Sequence, residues 1–335
     1  MPQHRQVAIL GAGGWGTALG VHLARAGHDT CLWARDAGLV ADMAERRANA
    51  VYLPDIRFPA RLRVTADLAD ALRDAELIVA AVPSHGTRRI LTLASPMVHS
   101  GSTVVSATKG LEQDTLFRMS EVAEQELRGG VHVAVLSGPS FAAELARQLP
   151  TAVSVASRDT VVVEQVQADF RTGYFRLYGT SDVVGVEIGG ALKNIIAIAA
   201  GVAEGLALGH NALAGLITRG LAEITRLACA AGAQRETLAG LAGLGDLVLT
   251  CTGSLSRNRH VGVELARGRS LEDILSGMKM VAEGVRTTEA ALALGARHGV
   301  ELPITAQVGE LLAGRKDARA ALYDLMLRPQ RSETG

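Results

Sequence analysis

Aromatic residues make up only 3% of this 335-residue chain, so its core must be aliphatic, built from Ala, Val, Leu and Ile. Cysteine is scarce as well. Cys31, Cys229 and Cys251 stand far apart, with neither metal-ligand spacing nor a disulfide framework, as in a protein of a reducing compartment. Net charge is absent, with Lys plus Arg and Asp plus Glu at 34 each. That balance excludes the overall basic signature of a nucleic-acid partner or an anionic membrane surface, while a local anion site stays open. A long unbroken apolar run is missing too. The stretch 195–216 comes nearest, but Glu204, His210, Asn211 and several glycines interrupt it, which predicts a buried helix of a soluble domain and no membrane insertion. Only a very short apolar segment precedes the first glycines, so the reading is no signal peptide and a cytoplasmic protein. The histidines have no partners at ligand spacing, and there is no nucleophile elbow and no Walker loop; no metal is expected.

What is present begins at residue 7. An apolar run, 7–10, leads straight into Gly11-Ala12-Gly13-Gly14-Trp15-Gly16, and a helical pattern follows over 17–26, stopped by Gly27. Strand, G-x-G-x-x-G turn and helix in that order are what a dinucleotide requires. Gly11 allows the tight turn, Gly13 lets backbone approach a pyrophosphate, and Gly16 lets the helix pack on the strand. The helix start then turns unpaired N–H groups and its positive end toward the phosphates. With Gly at 37 of 335 residues the spacing alone would be weak; the flanking strand and helix give it force.

Further strands are predicted at 30–34, 76–82, 103–107, 131–136, 151–156 and 175–178, with helical patterns between nearly all of them, such as 116–127 and 160–170. That alternation specifies an α/β fold with a doubly wound parallel sheet covered on both faces. Near Ser181 strand signals fade, and Ala/Leu/Gly-rich helical segments continue almost to the end. The expected division is a Rossmann domain over residues 1–184 and an all-helical domain over 185–335. The polar tail 328–335 is expected to fray.

Several side chains stand where chemistry is expected. An NAD-specific fold places an acid at the end of its second strand; here Arg35 comes first and Asp36 after it, which suits the 2′-phosphate of NADP and leaves room for NAD, unless Arg35 is a solvated surface arginine. Lys109, and Gly138 with Ser140, fall at the carboxyl ends of the fourth and fifth strands, the edge that faces the ligand crevice; a solvated lysine and a helix N-cap are the alternatives. Lys193 lies inside an apolar helix, either buried with a lowered pKa and able to exchange protons, or snorkelling to water. Asp246, among glycines, can point at a ligand or at Lys193. Ser256-Arg257-Asn258 forms a natural phosphate grip, an Arg fork with neutral donors, unless it is an exposed loop.

Eight segments in order, GAGGWGTALG, LWARD, NAVYLPD, SATKGLE, LSGPSFAAE, EIGGALKNIIAIAAG, GLGDLVLTCTGSLSRNRHVG and VAEGVRT, give the chain from Val7 to about Leu327 a specific resemblance to the bacterial-type NAD(P)-dependent sn-glycerol-3-phosphate dehydrogenases. The resemblance implies a soluble, usually dimeric enzyme that reduces dihydroxyacetone phosphate with NADPH or NADH to supply glycerophospholipid synthesis. It implies Lys193 as the proton acceptor, and Lys109, Gly138, Ser140, Asp246, Ser256, Arg257 and Asn258 at substrate positions. Gly14, Trp15, Arg35, Tyr52, Ala142, Val281 and Glu283 fall at cofactor positions, and Lys109 and Arg257 touch both ligands. Two other readings are an NADPH-binding redox sensor and a reductase of another small keto or 3-hydroxy acid.

Overall fold

The computed structural model describes residues 4–278, 280–330 and 332. Among the described residues the strands are β1 (Gln6–Leu10), β2 (Asp29–Trp33), β3 (Ala48–Asn49), β4 (Leu53–Arg57), β5 (Leu62–Thr65), β6 (Leu77–Ala80), β7 (Thr103–Ser106), β8 (His132–Ser137), β9 (Thr151–Ala156) and β10 (Phe175–Thr180). Eight of them form one sheet in the order β10-β9-β8-β7-β6-β1-β2-β5, and β3 with β4 makes a separate hairpin. β6 and β7 are buried at every residue, as central strands covered on both faces must be. Alternation sorts β1 between two cores. Val7 and Ile9 pack with Leu19, Leu23 and Phe170, whereas Ala8 and Leu10 pack with Ile78, Val104 and Val122 on the other face.

The sheet is not wholly parallel as expected: β8 and β9 pair antiparallel, with Leu136 opposite Val155, and β10 then runs parallel to β9. Six strands carry the doubly wound order, and the last two are added in the reverse sense. Two further expectations shift. The helix expected over 116–127 occupies only Met119–Glu126, because residues 107–118 form an irregular loop. The apolar stretch 195–216 is two helices, Val183–Gly205 and Gly209–Ala230, broken at 206–208. Of the expected fraying tail, residues 331 and 333–335 lie outside the described residues, and Arg328 bonds Glu301 at 3.1 Å.

Beyond β10 the structure is helical. Val183–Gly205 runs through the middle, its Ile188, Leu192, Ile195, Ile196 and Ile198 at the centre of one aliphatic cluster. It is long and apolar enough to cross a bilayer, yet 83% of its most apolar window is buried inside the protein. The helix Arg257–Ala266 lies tight against it. A Cβ on Gly201 would fall 1.9 Å from the Arg259 carbonyl oxygen, and one on Gly262 1.9 Å from that of Ile198, so only glycine permits this approach. A π-helical turn, Leu241–Gly245, leads into the short helix Asp246–Thr252; such turns are frequent at functional sites. Leu111, from the 107–118 loop, is 2% exposed and belongs to the helical cluster rather than to the sheet's cores.

Candidate active site

The glycine turn has the form the sequence predicts. Gly11 takes φ +112°, and a Cβ there would lie 2.8 Å from the Ala81 carbonyl oxygen, so the chain can turn only with glycine. The helix Gly14–Ala26 starts with no side-chain cap, leaving its first N–H groups free. Above Gly13 a Cβ would meet nothing within 4 Å. Free donors under open space fit a pyrophosphate. Around this turn the cofactor candidates gather. Gly14 faces the Tyr52 carbonyl oxygen, the Ala142 methyl and the Met280 sulfur, at 3.1, 3.8 and 3.8 Å from where its Cβ would stand. Asn49 ties the hairpin beneath, donating to the Ala12 carbonyl and to Thr17 Oγ1, both at 2.9 Å, and accepting from the Tyr52 N–H at 3.1 Å. Trp15 packs against the sheet core with its Nε1 buried and unpartnered.

At the end of β2 the two candidates separate. Asp36 is committed to capping the next helix, accepting from the N–H groups of Gly38 and Leu39 at 2.8 and 3.0 Å. Arg35 is exposed and makes no hydrogen bond or ion pair among the described residues. The cation, not the acid, is therefore the free group.

The most concentrated chemistry lies around Lys193. Lys193 is 6% exposed, so it is buried rather than snorkelling. Its Nζ donates to Asp246 Oδ1 at 2.5 Å and to Thr250 Oγ1 at 2.8 Å. The other carboxylate oxygen of Asp246, itself 1% exposed, accepts from Lys109 Nζ at 2.7 Å. Lys109 also donates to the Gly138 carbonyl at 2.8 Å and lies 3.5 Å from Ser140 Oγ, which bonds that same carbonyl at 2.8 Å. Ser140 is not the helix cap; Phe141 occupies that position. Burial draws the Lys193 ammonium down to about 8; the Asp246 carboxylate opposes the shift and Lys109 adds to it. Cys251, beside them, has its thiol pushed up by burial to about 12.

The phosphate-grip candidates head the helix that the glycine pair holds close. Ser256 caps it, its Oγ accepting from the Arg259 N–H at 3.3 Å. Asn258 is buried, donating to Asn194 Oδ1 at 2.9 Å and accepting from the Gly284 N–H at 3.0 Å. Arg257 is exposed and donates to the Val281 carbonyl at 2.8 Å. Glu283, two residues on, accepts from Ser84 N and Oγ at 3.2 and 2.7 Å, joining it to the start of the helix Ser84–Ala94 that follows β6. Sequence reasoning missed Thr250 and Asn194. Thr250 stands one helical turn after Asp246, and that spacing was the available signal; Asn194 adjoins Lys193. No group of three or more His, Cys, Asp or Glu able to hold a metal ion occurs among the described residues.

A Rossmann sheet with an open glycine turn, beside a helical region that brings a buried lysine to its edge, defines a nicotinamide-dependent oxidoreductase. Two family models match, NAD-dependent glycerol-3-phosphate dehydrogenase N-terminus over residues 6–163 and C-terminus over 182–323, and the chain belongs to that family. Glycerol-3-phosphate dehydrogenase (NAD(P)+) of Koribacter versatilis is 52% identical over 332 residues, 98% of each chain. That of Myxococcus xanthus is 50% identical over 328 residues, 97% of this chain and 98% of its own. The crystal structure of glycerol-3-phosphate dehydrogenase from Coxiella burnetii superposes with TM-score 0.94 over 97% of this chain and 99% of that one, at 41% identity. A ketopantoate reductase from Ralstonia eutropha, at 18% identity and TM-score 0.56, shares the fold alone.

Proposed function

We propose that Lys193 is the proton donor in the reduction of dihydroxyacetone phosphate to sn-glycerol 3-phosphate, the reversible reaction that feeds glycerophospholipid synthesis. Lys109, Gly138, Ser140, Ser256, Arg257 and Asn258 take the substrate. Gly11, Gly13, Gly14, Trp15, Gly16, Arg35, Tyr52, Ala142, Val281 and Glu283 hold NADPH or NADH, with Lys109 and Arg257 reaching both ligands. Residues 1–184 are the cofactor unit and 185–335 the substrate unit, a division supported by the last strand ending at Thr180 and the long helix beginning at Val183. By family resemblance the enzyme is a cytoplasmic homodimer, without membrane insertion or a nucleic-acid partner.

The observation that carries the reading is the chain Lys193–Asp246–Lys109, two ammonium groups on one buried carboxylate. A dinucleotide held at the Gly11–Gly16 turn would supply the hydride for the substrate carbonyl carbon. As the carbonyl oxygen gains negative charge, the Lys193 ammonium stabilises it and then passes it a proton. Asp246 aims that ammonium, and the Arg257 fork anchors the phosphate so that the carbonyl stands within reach. In the oxidative direction neutral Lys193 takes the proton back.

One assay tests the reading, oxidation of NADPH or NADH dependent on dihydroxyacetone phosphate. Because the donor must be protonated and its ammonium titrates near 8, kcat/KM for reduction should be level below that pH and fall above it. Oxidation of glycerol 3-phosphate should rise over the same interval. A flat profile in both directions would leave Lys193 without its role. The same assay reads cofactor choice. With Arg35 replaced by Ala, the NADPH KM should rise by an amount equivalent to roughly 1.5–3 kcal/mol, the worth of a hydrogen bond to a charged group, while NADH is much less affected. Equal losses with both cofactors would refute the assignment.

A further inference from the structure

Glu187 lies on the helix of Lys193, six residues before it, and takes no part in the chemistry above. Its carboxylate is buried, with 5% of the side chain exposed, and it accepts three bonds. The donors are Arg118 Nη1 at 2.6 Å, the Ser120 N–H at 2.8 Å and Ser120 Oγ at 2.6 Å. Arg118 also pairs with Glu121 at 2.9 Å. Burying a carboxylate is costly even when it is paired, and here burial pushes the Glu187 carboxyl above its ordinary range against the pull of Arg118. Such a charge is expected where it sets geometry.

The partners show which geometry. Arg118 forms an antiparallel bridge with Leu111, closing the loop that Lys109 opens. Inside it the Glu112 N–H bonds the Phe117 carbonyl at 3.0 Å, the Leu116 N–H bonds that of Glu112 at 3.0 Å, and Leu116 holds φ +64°. Arg88 grips Glu112 through Nε and Nη2 at 2.8 and 2.7 Å. The loop is thus a stiff unit attached to the Val183–Gly205 helix at two places. At its base Glu187 holds Arg118 and Ser120. At its mouth Lys109 and Lys193 share Asp246.

We infer that Glu187 is a positioning residue: through Arg118 and Ser120 it fixes the Lys109 loop against the helix that carries Lys193, so that both ammonium groups meet on Asp246. The inference rests on the proton-donor reading of Lys193. The charged and titratable groups that bear on Lys193 are Asp246, Lys109 and Cys251, with the Thr250 hydroxyl as a neutral partner. Lys109 is the one among them that the loop carries, and its charge helps hold the Lys193 ammonium down.

The test is Glu187→Gln in the full-length enzyme. Rates with dihydroxyacetone phosphate and NADPH are followed through the alkaline limb, NADPH affinity by tryptophan fluorescence, and folding by circular dichroism. Displacement of reacting groups by about an ångström costs up to 10²-fold, so kcat/KM for dihydroxyacetone phosphate should fall roughly 10- to 100-fold with NADPH affinity unchanged. The limb should move to higher pH, because a displaced Lys109 no longer depresses Lys193. Should Glu187→Gln fail to fold, Ser120→Ala removes one of the three bonds and should move both readouts the same way by less. A limb and a kcat/KM that stay put while only the melting temperature drops would overturn this role alone. A wild-type profile with no limb near 8 would overturn the proton-donor reading and this role with it.

Discussion

Lys193→Met should leave a folded protein that binds NADPH and turns over almost nothing. Met matches the lysine stem in length and suits a site that is 6% exposed, and the glycine turn is contributed by the other half of the molecule. The kcat should fall by at least the ~10²–10⁴ that general acid–base catalysis supplies, and by more because the developing oxyanion loses its cation as well. Arg at 193 should not restore it: a guanidinium stays protonated, and its planar fork does not fit a place shaped for an ammonium between Asp246 and Thr250. Near-normal kcat in a folded Lys193→Met enzyme, measured beside circular dichroism and NADPH binding, would leave the proton donor elsewhere.

Asp246→Asn should be nearly as damaging for a different reason. The asparagine can still accept from Lys193 through one atom, but its amide nitrogen then faces Lys109 Nζ, donor against donor. The buried Lys193 and half-buried Lys109 ammonium groups are left without a countercharge. Breaking a buried pair in this way destabilises the fold by about 3–5 kcal/mol, and kcat/KM for reduction at neutral pH should drop on the order of 10²-fold because the donor is no longer aimed. The sign of the pH effect is also fixed. Asp246 raises the Lys193 pKa, so its loss lowers that pKa further, and the alkaline limb should move to lower pH. Part of the lost reductive activity should return on acidification. A variant whose limb stays near 8, or moves upward, would show that Asp246 does not set the charge of Lys193.

Much of this was legible in the chain itself, and the reasons differ from place to place. The glycine turn is local: strand, turn and helix lie within about twenty consecutive residues, and each glycine has a steric cause. Lys193 betrays itself because an ammonium in an apolar helix needs a partner. What periodicity does not carry is direction. β9 and β10 read correctly as strands, but nothing in TAVSVA tells whether it runs with or against its neighbour; that depends on how the short helix Ala142–Ala146 returns the chain. β5 escaped because LRVT is an edge strand with a charged residue outward, and four residues are too few for a pattern. The Lys109–Asp246 bond joins residues 137 apart in sequence and belongs to tertiary packing alone. The helical look of residues 116–118 gave way to the bridge between Leu111 and Arg118, a contact that no local propensity encodes.

Leu111 has a bearing on how the molecule is made. The residue is translated with the sheet half, yet its cluster includes Ile188, Leu247, Leu294 and Val308 from the helical half. At roughly 5–20 residues per second, a nascent chain carries Leu111 in water for on the order of ten seconds before the last of those partners leaves the ribosome. For that interval Leu111 lacks these partners, and its loop is a surface that chaperones and neighbouring nascent chains can both reach. Severing the gene between the halves should therefore yield an N-terminal fragment that folds around its glycine turn and aggregates through residues 107–118.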